Sequence, residues 1–281
     1  YELIPDWGAL PERWVLGQTS ILTDSQDLVY LYNRSTHPMV IMDRSGKYIG
    51  CWWKDIMIDA HGGFIDENDN LYLPIRDAHI IEKYSRDGDL LMTIGTKNSP
   101  SDTGWTGDYR DMVDIAAGPF NMPTDISLTS SGHIFVSDGY GNARIHKFDN
   151  TGTLLFSWGN PGKITPGHFH VPHGIWVHND NKVFVADREN NRIQIFTIQG
   201  DFITEWKGFA RPCGFFIDDT DTVFVPELDG FISILTITGD LITRFSGPSG
   251  SGAHAVWVDK YGDLYINQHL EGQRILKYAR C

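Results

Sequence analysis

Three histidines, His61, His173 and His254, stand at the same position of a recurring pattern, each at the start of a short apolar stretch. Aligning the pattern gives the series Thr19, His61, Thr124, His173, Cys213, His254, with separations of 42, 63, 49, 40 and 41 residues. Histidine fills alternate members of the series and no others. If six such units close into a ring, alternate units stand about 120° apart, and three imidazoles at one height meet on the axis. Three imidazoles with an open fourth position describe a catalytic metal site. Zinc is the first candidate for such ligands, with iron, copper or nickel as alternatives. Cys213 shares the series, either as a further ligand or as a small apolar filler.

A second series supports the first. The residue just after the second strand of each unit reads Arg34, Arg76, Gly139, Arg188, Leu228, His269. A chain that crosses the unit on one strand and returns on the next brings this turn back to the histidine face. Arg34, Arg76, Arg188 and His269 would then ring the metal with positive charge suited to a carboxylate. Each arginine has a competing reading as the partner of a nearby acid such as Asp77, Asp138, Asp187 or Glu189. Tyr140 lies in the same turn of the third unit, where a phenol can act as acid or base.

The elements that must hold these residues are strands. Residues Val171 to Trp206 read VPHGIWVHNDNKVFVADRENNRIQIFTIQGDFITEW, and Met122 to Trp158 repeat the same grammar. Each unit has four short strands rich in Val, Ile, Phe and Tyr, separated by Gly, Asn and Asp turns. Four strands in a period of about 40 to 50 residues indicate a propeller blade. The expected fold is all-β: one six-bladed β-propeller domain covering residues 1–281. Cys281 follows the third strand of the last blade, so an N-terminal strand around Trp14 to Leu16 is expected to complete it and leave no open edge. Phe148, Phe196, Tyr278, Trp52, Trp158 and Trp206 are expected to pack between blades. Two intervals are long: Thr96 to Phe120, with Trp105 and Tyr109, and Asn160 to His170. Both read as surface loops, and the first is long enough for a lid.

Composition narrows the partners. The 281 residues carry 23 Lys and Arg against 36 Asp and Glu, a net charge of −13. That excess argues against nucleic acid and against an anionic membrane surface. No apolar run approaches the roughly 20 residues that span a bilayer. Cys51, Cys213 and Cys281 do not make a disulfide framework, which points to a reducing, cytoplasmic location. No Ser/His/Asp arrangement, Walker loop or CxxC pair is present. His37, His79, His133, His146 and His178 read as exposed. The expected partner is a small-molecule carboxylate or amide; the oligomeric state is left open.

With these residues in place, the chain resembles the peptidyl-α-hydroxyglycine α-amidating lyases, built on NHL-type repeats. The resemblance runs from about Arg34 to the C-terminus. It is strongest at MPTDISL (Met122 to Leu128), VSDGYGNARIHKF (Val136 to Phe148), VPHGI (Val171 to Ile175) and VADRENNRIQIF (Val185 to Phe196). It implies a catalytic zinc on His61, His173 and His254, an essential tyrosine at Tyr140, and functional arginines at Arg34 and Arg188. The implied reaction splits R–CO–NH–CH(OH)–COO⁻ into an amide and glyoxylate. The chain departs from the family at GAHA (Gly252 to Ala255), where the family has MPHD with an Asp serving a structural calcium, so calcium is in doubt here. Gly141, Phe184 and Ile195 replace family cysteines.

Three readings remain at this level. The first is a zinc-dependent lyase on a carbinolamide or α-hydroxy carboxylate. The second is a metal-dependent hydrolase, hydratase or lactonase on a small amide, ester or lactone. The third is a non-catalytic NHL binding propeller, which gives no reason for histidines in alternate blades.

Overall fold

A computed structural model describes residues 1–179, 181–246, 252–268 and 275–281. Their sheets form a six-bladed β-propeller, each blade four strands in antiparallel order. The innermost strands are Thr19–Thr23, Phe64–Ile65, Pro123–Leu128, Pro172–His178, Phe216–Ile217 and Ala253–Val258. The single helix among the described residues is the 3-10 turn Arg188–Asn190. No described helix is long and apolar enough to cross a membrane. All three cysteines are free.

The second strands, such as Ile134–Asp138 and Thr222–Glu227, are apolar on both faces because a blade lies against each. Phe135 and Ile145 of blade three pack with Ile175, Val183 and Val185 of blade four. Phe184 and Ile193 in turn pack with Phe215 and Val223 of blade five. Each such buried side chain contributes about 1.5–3 kcal/mol. The tryptophans at the fourth strands fill the gaps between blades, as expected: Trp52 lies against Tyr84 of blade two, and Trp158 against Phe196 of blade four. Much of the acidic charge is spent on turns. Asp43, Asp149 and Asp218 each accept the amides two and four residues ahead, which fixes the tight reversals between strands.

The ring is closed by an N-terminal strand, but not by the segment expected. Glu2–Ile4 pairs with Ile275–Ala279, Leu3 opposite Tyr278. Trp14 lies outside any strand and stacks on His37 at 3.4 Å. Glu2–Ile4 is only three residues long and exposed on every one, so it has no hydrophobic alternation to mark it. The seam is sealed instead by Trp7, whose indole donates to the Arg44 carbonyl and whose ring meets Tyr265. Arg44 reaches Asp259 at 3.0 Å and Asp263 at 2.5 Å, tying blade one to blade six.

His146 corrects another expectation. It is fully buried, between Asp138 and Ser157 and against the Phe120 ring, because here the third strand is covered by the loop that carries Phe120. The remaining histidines read as exposed, His37, His79, His133 and His178, are each half-buried.

Candidate active site

The three histidines are aimed by β-bulges. In blade four, Pro172 pairs with Asp187 and Gly174 with Ala186, so His173 is an extra residue with no partner opposite. The same shift falls at His254, between Ala253 and Ala255, and at Thr124. In blades two and five, Ala60 pairs with Ile75 and Phe64 with Tyr72, and Pro212 with Glu227 and Phe216 with Phe224. In each of these, four steps on one strand match three on its partner, again one extra residue. A bulge rotates its extra side chain out of the alternating pleat, here into the central channel. Gly62, beside His61, has a positive φ of +34°, and a Cβ there would lie 2.4 Å from the Thr124 carbonyl oxygen. Only glycine lets blades two and three approach this closely.

The convergence expected from the alternate-blade pattern is present. The ligand atoms of His61, His173 and His254 all lie within 4.8 Å of one another, and all three residues are buried. His61 Nδ1 donates to the Thr124 carbonyl at 2.5 Å, and His173 Nδ1 to the Cys213 carbonyl at 2.7 Å. Each bond fixes the tautomer and turns a bare Nε2 toward the cluster, as metal-binding imidazoles require. Burial, followed by the charges of neighbouring histidines and arginines, pushes the pKa of His61 well down. Burial and then Arg188 do the same to His173. Neutral imidazoles with converging lone pairs fit a transition-metal ion.

Cys213 contributes its carbonyl rather than its sulfur. Burial pushes the thiol up to about 12, so it stays protonated and fills space.

Tyr140 links the histidines to the arginines. Its hydroxyl lies 3.0 Å from His173 Nε2, 3.3 Å from His61 Nε2 and 3.1 Å from Arg188 Nη1. The guanidinium groups of Arg76 and Arg188 sit over its ring at 4.9 and 5.1 Å. Arg34, Arg76, Arg188 and Tyr140 together line one pocket of ≈ 350 Å³ with Gln18, Met122 and Leu228. The structure thus gathers all the described residues singled out from the sequence; His269 lies outside the described residues.

The arginines also have acid partners, one of which the sequence did not reveal. Arg76 meets Asp77 at 3.3 Å and Arg188 meets Glu189 at 2.8 Å, whereas Asp138 and Asp187 serve His146 and Arg192. Asp59 lies between Arg34 and Arg76, at 2.8 and 2.5 Å. It holds no place in the repeated series, and its position two residues before His61 is the only signal that could have found it. Arg34 Nη2 is buried with no hydrogen-bond partner among the described residues. Burial, and then the charge of Arg76, pull the Arg34 pKa down. An incoming anion would satisfy that donor and relieve the repulsion.

On the other side of the histidines the channel is narrow and holds Asp125 and Ala255. Both Asp125 oxygens accept backbone amides, from Gly63 and Ile175 at 3.2 Å each. Although it faces the small lumen, protein encloses it, and burial pushes its carboxyl up to about 7. Calcium needs six to eight oxygens, normally with ionised carboxylates. A single committed Asp125, with Ala255 in the slot opposite, does not fit it.

Comparison with known proteins places the chain. The NHL repeat model matches residues 120–148 and 169–196. The chain is 32% identical over 178 residues to a probable peptidyl-α-hydroxyglycine α-amidating lyase of Caenorhabditis elegans, covering 62% of this chain and 46% of that one. It is 33% identical over 163 residues to peptidyl-glycine α-amidating monooxygenase of Mus musculus, covering 55% of this chain and 15% of that one. The chain therefore spans less than half the length of these relatives. Human NHL repeat-containing protein 3 is 28% identical over 220 residues, covering 73% of this chain and 59% of that one. Virginiamycin B lyase of Staphylococcus aureus shares the fold, with a TM-score of 0.67 at 16% identity over 94% of this chain and 95% of that one. The chain is an NHL-repeat β-propeller related to the peptidyl-α-hydroxyglycine α-amidating lyases.

Proposed function

We propose that the protein is a zinc-dependent lyase that cleaves the C–N bond of a carbinolamide carboxylate, R–CO–NH–CH(OH)–COO⁻, to an amide and glyoxylate. The observation that carries this reading is the Tyr140 hydroxyl, within reach of two converging imidazoles and of a buried guanidinium. The Caenorhabditis elegans relative is by name a probable lyase of this type, and the residues that the resemblance matches, from three blades for the metal and three for the substrate, are the ones that meet here.

The substrate carboxylate goes to the arginines. Arg34 offers its unpartnered Nη2, and Arg76, sharing Asp59 with it, supplies a second positive charge. Charge-assisted bonds of this kind orient as well as bind. The carbinol carbon then lies against Tyr140. Tyr140 takes the proton from the carbinol hydroxyl, the oxygen becomes the aldehyde oxygen of glyoxylate, and the C–N pair leaves on the amide nitrogen. The proton held by Tyr140 completes the amide, so no water is consumed. Arg188, donating to the phenol oxygen, stabilises the negative charge that this oxygen carries as the base until it takes the carbinol proton, and Arg76 over the ring adds to it. A general base of this kind is worth about 10²–10⁴ in rate. The chemistry that a zinc ion held by His61, His173 and His254 supplies when bound is Lewis-acid polarisation of a substrate oxygen.

The test is turnover of α-hydroxyhippurate by the zinc-loaded protein in H₂¹⁸O. The lyase yields glyoxylate, whose aldehyde oxygen exchanges with water and is not read, and benzamide free of ¹⁸O. Benzoate carrying ¹⁸O identifies a hydrolase instead, and no turnover with zinc bound refutes the lyase reading.

A further inference from the structure

The long loop between blades two and three is pinned to the turn that carries Tyr140. Thr103 Oγ1 donates to the Gly141 carbonyl at 2.5 Å, Asn121 Nδ2 to Thr103 Oγ1 at 3.2 Å, and the Ala117 amide to Asn142 Oδ1 at 3.2 Å. Gly141 and Asn142 directly follow Tyr140, so the segment between Thr103 and Ala117 is a strap referenced to the reacting phenol. Two of its rings reach the site. Tyr109 meets Tyr140 edge to face at 6.0 Å and lies under the Arg188 guanidinium at 5.1 Å. Trp105 packs on the cluster of Met122, Tyr140 and Val171.

The pocket therefore has two chemically distinct kinds of lining. Arg34, Arg76 and Arg188 are the cationic lining, and Trp105, Tyr109, Met122 and Leu228 supply the uncharged wall. On the lyase reading above, on which this inference rests, the carboxylate and the acyl group lie on opposite sides of the scissile bond. With the carboxylate on the arginines and the carbinol at Tyr140, the acyl group has the aromatic wall to meet. We infer that Trp105 and Tyr109 are specificity-determining residues, and that the preferred substrate is an N-acyl-α-hydroxyglycine whose acyl group is flat and apolar. A pocket of ≈ 350 Å³ is at the small end of ligand sites, which suits one aromatic ring beside a carboxylate.

The inference is tested by calorimetric binding of two stable ligands that lack the hydroxyl, hippurate and N-acetylglycine, to the zinc-loaded full chain. Burying a phenyl in place of a methyl favours hippurate by about tenfold or more. Trp105→Ala is expected to bring the ratio of the two affinities to within about threefold, and Trp105→Phe to keep most of it. Equal affinities in the wild type, no binding of either ligand, or a ratio that survives Trp105→Ala overturns the assignment. The same comparison with α-hydroxyhippurate and N-acetyl-α-hydroxyglycine separates the two claims. A binding preference without turnover sinks the lyase reading and leaves the wall standing. Turnover of both substrates with equal kcat/KM removes the wall and leaves the lyase.

Discussion

Replacing Tyr140 with Phe removes one oxygen and leaves the ring. The ring keeps its neighbours, Tyr109 at 6.0 Å and the Arg76 and Arg188 guanidinium groups at 4.9 and 5.1 Å. What is lost is the hydroxyl's contact with His61 and His173 Nε2 and the bond from Arg188 Nη1. Arg188 retains Glu189 at 2.8 Å, so the buried charge is not abandoned. The stability cost should be that of one hydrogen bond to a charged group, about 1.5–3 kcal/mol at most. The catalytic cost is of another order, because the base for the carbinol proton is gone. We expect kcat to fall about 10²–10⁴-fold, with KM nearly unchanged because the arginines are intact. Zinc should be retained, since the three histidines remain. The assay is glyoxylate release from α-hydroxyhippurate, with metal content and melting temperature measured on the same preparation. A kcat within tenfold of wild type, in a folded and zinc-loaded variant, would refute the role assigned to Tyr140.

Three other outcomes follow from the same geometry. Elemental mass spectrometry should find about one zinc per wild-type chain and none in His173→Ala, since two imidazoles are a poor site; full zinc in the variant would disprove the three-histidine centre. Arg34→Met should raise KM for the carboxylate substrate about 10–100-fold, the worth of a charged hydrogen bond of about 1.5–3 kcal/mol, and an unchanged KM would remove Arg34 from carboxylate binding. Asp125 is protonated in the fold up to about pH 7 but ionises in the unfolded chain near 4, so the native state binds the extra proton and this group's contribution to stability declines as pH rises through that window. Denaturation of wild type and Asp125→Asn at pH 5 and pH 8 should show the wild type losing more stability on going to pH 8. The histidines act in the opposite direction in both proteins and cancel in the comparison; identical pH dependence would contradict the burial argument.

The site was legible in the sequence to the extent that it is periodic. His61, His173, His254, Arg34, Arg76 and Arg188 each occupy a slot of a six-fold repeat, so alignment of the repeat with itself put them on one face. Tyr140 was found through the turn it shares with that series. Gln18, Met122 and Leu228 line the same pocket and Asp59 joins two of its arginines, but Asp59, Gln18 and Met122 belong to neither series. Leu228, in the arginine series, looked merely like a departure from it. The closing strand Glu2–Ile4 was misplaced for a related reason: its position is set by the partner Ile275–Ala279 at the far end of the chain, and three exposed residues have no pattern of their own.

The sequence by itself determined the blades. Strand alternation, turn residues and the spacing of Gly and Asp are local signals, and six repeats of them leave a propeller as the natural closed arrangement. Tertiary structure decided where side chains point within that ring. Strict alternation alone would not single out a slot residue; the added residue at each bulge turns His173 and His254 onto the axis, and a bulge is defined by the register of two strands, which neither strand contains alone. The same holds for the strap over Tyr140, held by bonds from Thr103 and Ala117 to residues that are distant in the chain. Convergence of groups from different blades depends on how the ring closes, and that is settled only when all six blades pack.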